Sequence, residues 1–259
     1  MKRKTLRVPL FALLAAAVVA LLPVPAWAEE GGFYLSPYLW AAGFTGTIGT
    51  PNSGGSQPDW PADRAAATFG HLQDNIKLTG AAMLSAGWRD GRWSVFGDWV
   101  YVGLESSTAS SLSPLYTDLE GEIRGNIGQA NLGYRLYGSD TTRFDAYGGA
   151  RYYDLEISAT LTAGKLAEVN WSGKDTWVDG LLGMRLEQAI TKRWRLMLMG
   201  DVAVSGSDHA QQGVVAFEYR TSWGGIGGGW RLLRVDHTSE GFQLDATISG
   251  PLFGVTFKF

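Results

Sequence analysis

The sequence predicts an all-β protein, an antiparallel transmembrane β-barrel of ten strands filling residues 29–259, behind a secretory leader over residues 1–28. Three observations carry this reading. The chain ends on Pro251-Leu-Phe-Gly-Val-Thr-Phe-Lys-Phe259, where Phe253, Val255, Phe257 and Phe259 share one face and Gly254, Thr256 and Lys258 the other. A period of two is the strand signal, and apolar-out, polar-in alternation is that of a membrane barrel. Similar alternating segments recur along the chain, joined in turn by short and long connections.

The leader has a basic start (Lys2, Arg3, Lys4, Arg7), an apolar run from Val8 to Val24 and an Ala26-Trp27-Ala28 cleavage site. The run is shorter than the ~20 residues a spanning helix needs, and Pro23 and Pro25 interrupt its end. Four of the chain's 22 basic residues leave with it, so 18 Lys+Arg face 25 Asp+Glu in the remainder. That acidic balance argues against a nucleic-acid partner. The chain has no cysteine, which excludes disulfides and thiolate metal sites, and no cofactor or metal is expected. Glycine (35 residues) and aromatics (12%) are abundant, as tight turns and interfacial girdles require.

The strands are expected near 33–49, 77–89, 92–106, 119–137, 143–160, 176–188, 193–205, 213–220, 223–235 and 242–259. Asp90-Gly91 is a hairpin signal, and short turns also fall at 138–142, 191–192 and 221–222. Trp88, Trp93, Tyr137, Phe144, Trp194 and Trp223 sit beside these turns and predict a belt at the periplasmic rim. The connections 50–76, 107–118, 161–175, 206–212 and 236–241 then face outside. A hairpin hidden in the first of them would make twelve strands, and one strand wrongly split would make eight. On the last strand Phe242, Leu244, Ala246 and Ile248 lie out of phase with the terminal stripe, so a bulge is expected at Gly250-Pro251.

Charged side chains within strands must face the lumen, because a charge in lipid costs about 2–4 kcal/mol near the midplane. Asp98, Asp145, Asp179, Glu187, Asp201 and Asp245 against Arg135, Arg151, Arg185 and Arg195 form a nearly balanced set. They either neutralise one another and fill the lumen or line a narrow passage that selects small solutes by charge.

His71, His209 and His237 all fall in expected outer loops, two of them behind an aspartate (Asp208, Asp236). Solvated loop residues are one reading. The Asp-His dipeptides at an outer rim also resemble the omptin proteases, in which carboxylates and a His-Asp pair activate water. A lipase would need a His-Ser constellation near the membrane boundary, and adhesion through the outer loops is a further alternative. In the first outer connection, Pro61 through Asp74 breaks the period of two. Pro61, Asp63 and the Ala65–Ala67 run predict a short helix near residues 61–73 that packs over the barrel mouth.

The terminal stripe on Phe259 resembles the C-terminal assembly signal of bacterial outer-membrane proteins. With Ser36-Pro-Tyr-Leu-Trp-Ala-Ala-Gly43 and Tyr147-Gly-Gly-Ala-Arg-Tyr-Tyr-Asp154, it resembles the uncharacterised proteobacterial outer-membrane barrels of the OmpA/OmpW-like and small-porin grouping. The resemblance implies the outer membrane of a Gram-negative bacterium, contact with lipid and lipopolysaccharide, and insertion by the barrel assembly machinery. It also implies passive transport, while the leader, the paired strands and the self-neutralising lumen charges lead to the expectation of a non-enzymatic barrel, either structural or a narrow channel.

Overall fold

The computed structural model describes residues 31–49, 76–109, 116–165, 168–205, 208–239 and 242–259. The leader, the expected helix over 61–73 and His71 lie outside the described residues. The described part is all strand and turn: β1 (Gly32–Trp40), β2 (Gly43–Gly49), β3 (Ile76–Asp90), β4 (Trp93–Ala109), β5 (Tyr116–Gly138), β6 (Thr142–Ala163), β7 (Val169–Ala189), β8 (Trp194–Ser205), β9 (Asp208–Arg220), β10 (Gly224–Ser239) and β11 (Phe242–Lys258).

From β3 to β11 each strand pairs antiparallel with its successor, and β1 closes the sheet by pairing with both β3 and β11. β1 and β2 are two halves of one wall position, since both lie along β11 with a break at Ala41-Ala42. Eleven segments therefore make a ten-stranded barrel, closed where β1 pairs with β3 on one side and β11 on the other. At the seam the Phe259 amide donates to the Phe33 carbonyl (2.9 Å) and the Phe33 amide to the Phe259 carbonyl (3.3 Å). Short turns join the strands at one end. Gly91 and Arg92 make the first, with Gly91 at φ 53°, a left-handed conformation that glycine adopts without steric cost. At the turn before Trp194, Thr191 Oγ1 accepts from the Arg193 and Trp194 amides.

The outer surface has two zones. Next to the short turns, Phe33, Trp88, Trp93, Trp194, Trp223 and Phe259 stand outward, and above them the surface is apolar (Leu132, Val178, Leu182, Met184, Val202). Trp99 and Tyr152, aligned across Gly128 of β5, mark its upper part. Beyond them the outward side chains turn polar: Arg124, Glu156 and Lys174 stand in register across β5, β6 and β7, and Arg234 faces Asp245 at 3.8 Å. An apolar belt between aromatic girdles is the surface that a bilayer requires. The strands continue past it into water.

The interior inverts in step with the exterior. At the level of the apolar belt it is polar and charged; above it Tyr153, Ile157, Trp177, Leu233, Val235, Phe242 and Leu244 are buried as in a soluble core. This inversion removes the expected bulge at Gly250-Pro251. The β10–β11 register runs unbroken from Gly224↔Phe257 to Ser239↔Phe242. Even-numbered residues of β11 face inward throughout; the apolar stripe changes face because the solvent changes, not because the phase does. The same cause lengthens the strands. β6 runs to Ala163, β7 starts at Val169, β9 at Asp208, and β10 ends at Ser239. Much of the expected loops 161–175, 206–212 and 236–241 is thus strand, hidden from an apolar-out search.

Candidate functional site

Within the belt, one hydrogen-bonded layer crosses the lumen. Arg151 on β6 donates from Nη2 to Asp201 Oδ1 on β8 (2.6 Å) and from Nε and Nη2 to Gln129 Oε1 on β5 (3.0 and 2.7 Å). Gln212 on β9 donates to Asp201 Oδ2 (3.0 Å), as does the Tyr147 hydroxyl (3.0 Å). Gln212 Oε1 in turn accepts from Arg231 Nε and Nη2 on β10 (3.1 and 2.7 Å). Arg231 Nη1 reaches Asp98 Oδ1 on β4 and the Tyr38 hydroxyl on β1, both at 2.8 Å, and Tyr38 donates to Asp98 Oδ2 at 2.8 Å. The Arg231 guanidinium also lies over the Trp40 ring. Two arginines and two aspartates balance, and Arg151 is wholly buried.

Between this layer and the short turns, Glu187 on β7 is the centre of a second group. It takes salt bridges from Arg89, Arg185 and Arg195, the last at 3.0 Å. Arg143 pairs with Asp145 at 2.8 Å nearby. A cavity of about 220 Å³ lies between the two groups, and a second of about 240 Å³ lies under the turn at 139–141.

Above the belt the apolar core ends in a third group. His237 on β10 is buried, its ring stacked on Trp177 at 3.8 Å and 3°, with Trp177 stacked on Tyr153 at 4.5 Å. Its Nδ1 is 2.7 Å from Asp208 Oδ2 and its Nε2 is 2.9 Å from Asp175 Oδ2. Ser239 donates to the same Asp175 oxygen, and the Thr238 amide to Asp208 Oδ1 at 3.2 Å. Both ring nitrogens are therefore engaged, each within hydrogen-bond distance of a carboxylate oxygen. Burial opposes ionisation of Asp175, but the bonds from Ser239 and His237 outweigh it and hold this carboxyl below its ordinary range. The group clamps the outer ends of β7, β9 and β10 together.

The structure places the sequence-expected residues as follows. Asp98, Asp145, Arg151, Asp179, Arg185, Glu187, Arg195 and Asp201 point into the lumen, and Arg135 is half-buried beside the short turns. Asp245 does not: it faces outward against Arg234, above the belt, where water rather than lipid solvates it. Asp208, His209, Asp236 and His237 are in strands rather than loops. His209 and Asp236 are register partners on the outer face, exposed and 3.8 Å apart, whereas Asp208 and His237 meet inside. The alternation of β5 sets Gln129 and Asn131 opposite Ala130 and Leu132, and both are buried in the lumen; no pattern in the sequence marks Arg231 and Gln212, which do the bridging, or Asp175 and Ser239. Arg231 sits in a strand whose two faces are both largely glycine or apolar, so no alternation marked it. Phe253 and Phe257 face outward, and Phe259 closes the seam with its ring 6.0 Å from that of Phe33. Among the described residues, no group of three or more His, Cys, Asp or Glu is arranged to hold a metal.

No family model and no curated protein matches the chain. Solved structures do. The outer membrane protease OmpT from Escherichia coli is 9% identical, with a TM-score of 0.55, over 90% of this chain and 99% of that one. The translocator domain of the autotransporter NalP from Neisseria meningitidis is 15% identical, at TM-score 0.40 over 88% and 89%. Ail, the attachment invasion locus protein of Yersinia pestis, is 9% identical, at TM-score 0.31 over 89% and 100%. At these identities the likeness to OmpT concerns the fold alone. With the apolar belt and its girdles, that fold makes the chain an integral β-barrel of the bacterial outer membrane.

Proposed function

We propose that this barrel is closed and non-enzymatic, a structural element of the outer membrane rather than a pore. The transverse layer from Arg151 to Asp98 carries this reading. It draws on seven strands and has the buried aromatic core stacked above it. A solute crossing the lumen has to break paired charges held in a low-dielectric interior, and truncating one partner of a buried pair costs about 3–5 kcal/mol. The polar wall above the belt is the part that meets lipopolysaccharide, and Phe259 is the end offered to the assembly machinery. Planar-bilayer recording of the refolded protein tests the reading. Silence at all voltages and salts is expected, and stable openings in the unmodified protein overturn it.

The outer clamp favours a second reading, hydrolysis at the rim, because Asp208, His237, Asp175 and Ser239 converge there. A general base needs a ring nitrogen with a free lone pair within reach of the proton it abstracts. Here both nitrogens are spent on carboxylates, and this supports a structural clamp. Peptidase and lipase assays of the parent protein and of His237→Ala decide: activity lost with the substitution moves the proposal to an enzyme.

A further inference from the structure

On the outer wall beside the short turns, one arrangement of side chains is built twice. At the first site Arg92-Trp93 leads into β4, with Tyr134-Arg135 on β5; at the second Arg193-Trp194 leads into β8, with Tyr219-Arg220 ending β9. In each, the tryptophan is the register partner of the tyrosine, and the rings meet edge to face at 68°, 4.9 Å apart in the first and 5.3 Å in the second. In each, the carbonyl of the leading arginine accepts from the amide after the tyrosine (2.8 and 2.7 Å). In each, the Nη1 of that arginine donates to the tyrosine hydroxyl (3.1 and 2.8 Å). The sites stand four strands apart on the wall. Strand pairing alone does not require the arrangement: at the start of β6, Phe144 meets Leu186 instead.

Arg92 and Arg193 are exposed, and among the described residues no carboxylate pairs with either. A guanidinium has five N–H donors. The tyrosine takes one and fixes the group beside the rings, which leaves a fork whose geometry matches a phosphate. Having accepted from the arginine, the tyrosine hydroxyl keeps its own proton to donate. Short turns of such a barrel face the periplasm, so both forks lie at the headgroup level of the inner leaflet. Above them the wall is apolar: Val95 pairs with Leu132 over the first, and Leu196 with Phe217 and Leu198 with Val215 over the second. We propose that each site binds the phosphodiester of an inner-leaflet phospholipid, with an acyl chain lying along the apolar column above it. The unpaired cation favours a headgroup that carries no cation of its own, such as phosphatidylglycerol. A soluble phosphate would use the fork and leave the column unused.

Native mass spectrometry of the mature protein released from detergent micelles counts the lipids that stay bound. The probes are dioleoylphosphatidylglycerol and dioleoylphosphatidylcholine, and heat-modifiable mobility on gels confirms that each variant is folded. Two retained phosphatidylglycerols are expected, held at least about tenfold more tightly than phosphatidylcholine, the ratio for one hydrogen bond to a charged group. Arg92→Gln and Arg193→Gln should each remove one of the two, and the double variant both. Tyr134→Phe keeps the cation but loses the hydroxyl, and should weaken its site about threefold or more. Lys192→Gln removes an exposed cation of the same rim that belongs to neither cluster, and should change nothing. Equal retention of the two lipids, or as large a loss with Lys192→Gln as with Arg193→Gln, means diffuse attraction only and overturns the proposal. Full retention by the double variant, or none by the parent, overturns it as well. Displacement of the lipid by glycerol phosphate at equal concentration would show that the apolar column contributes nothing, and overturns the assignment to a lipid.

Discussion

Arg231 and Asp98 stand on opposite sides of the barrel, on β10 and β4, and meet at 2.8 Å in its middle. Their contact joins two halves of the wall that share no backbone hydrogen bond. Replacing Arg231 with Met leaves Asp98, half-buried in the lumen, without its cation, which should cost up to about 3 kcal/mol. Urea unfolding in vesicles, followed by tryptophan fluorescence, measures the loss. Adding Asp98→Leu should recover most of it, because the double variant leaves no uncompensated charge. The single variant should also admit ions, seen as new conductance steps.

The outer clamp should make stability pH-dependent. The folded pKa of Asp175 lies below its unfolded value, so folding favours the ionised carboxylate. Its contribution is therefore complete above the ordinary carboxylate range and is lost as pH falls through the lower folded value. Thermal unfolding temperatures recorded from neutral pH down to about pH 3 should fall more steeply for the parent than for Asp175→Asn. Parallel profiles would remove the clamp.

The two zones of the outer surface predict opposite tolerance to charge. Leu182 is exposed outward within the apolar belt, and Leu182→Arg should cost about 2–4 kcal/mol in vesicles. Gln243, exposed outward on β11 above the belt, should accept arginine with a change within about 0.5 kcal/mol. Equal costs at both positions would mean that the belt has been placed wrongly.

The seam at Phe33 and Phe259 should matter more in cells than in the test tube. Deleting Phe259 removes two backbone hydrogen bonds and one ring contact of a long ladder, so refolding into detergent should persist. Delivery to the outer membrane, followed by heat-modifiable mobility on gels, should drop severalfold if the terminal aromatic is the assembly signal. Unchanged delivery would remove that role.

The packing in the upper lumen sets a last expectation. Phe242 is 1% exposed beside Trp177, and Phe242→Ala should cost about 3–5 kcal/mol by leaving a void. Denaturant unfolding measures it.

The ten wall positions could be read from the amino-acid sequence because a strand writes its period into consecutive residues, and each face must match its solvent. Val178, Leu182 and Met184 against Asp179, Arg185 and Glu187 is a local pattern, and so are the turn at Asp90-Gly91 and the aromatic stripe at the C-terminus. Where the solvent changed along one strand, the local rule misled. Asp245 reads as a lumen charge only if lipid covers its face, and Phe242 and Leu244 read as a shifted phase only if the interior stays polar. What the sequence by itself determined is therefore the set of strands and, within the bilayer, their two faces. Which side chains meet inside was decided by closure and register, since Arg231 and Asp98 are 133 positions apart and His237 and Asp175 are 62. Contacts at that separation depend on the stagger of every strand between them, and no period in the chain encodes their sum.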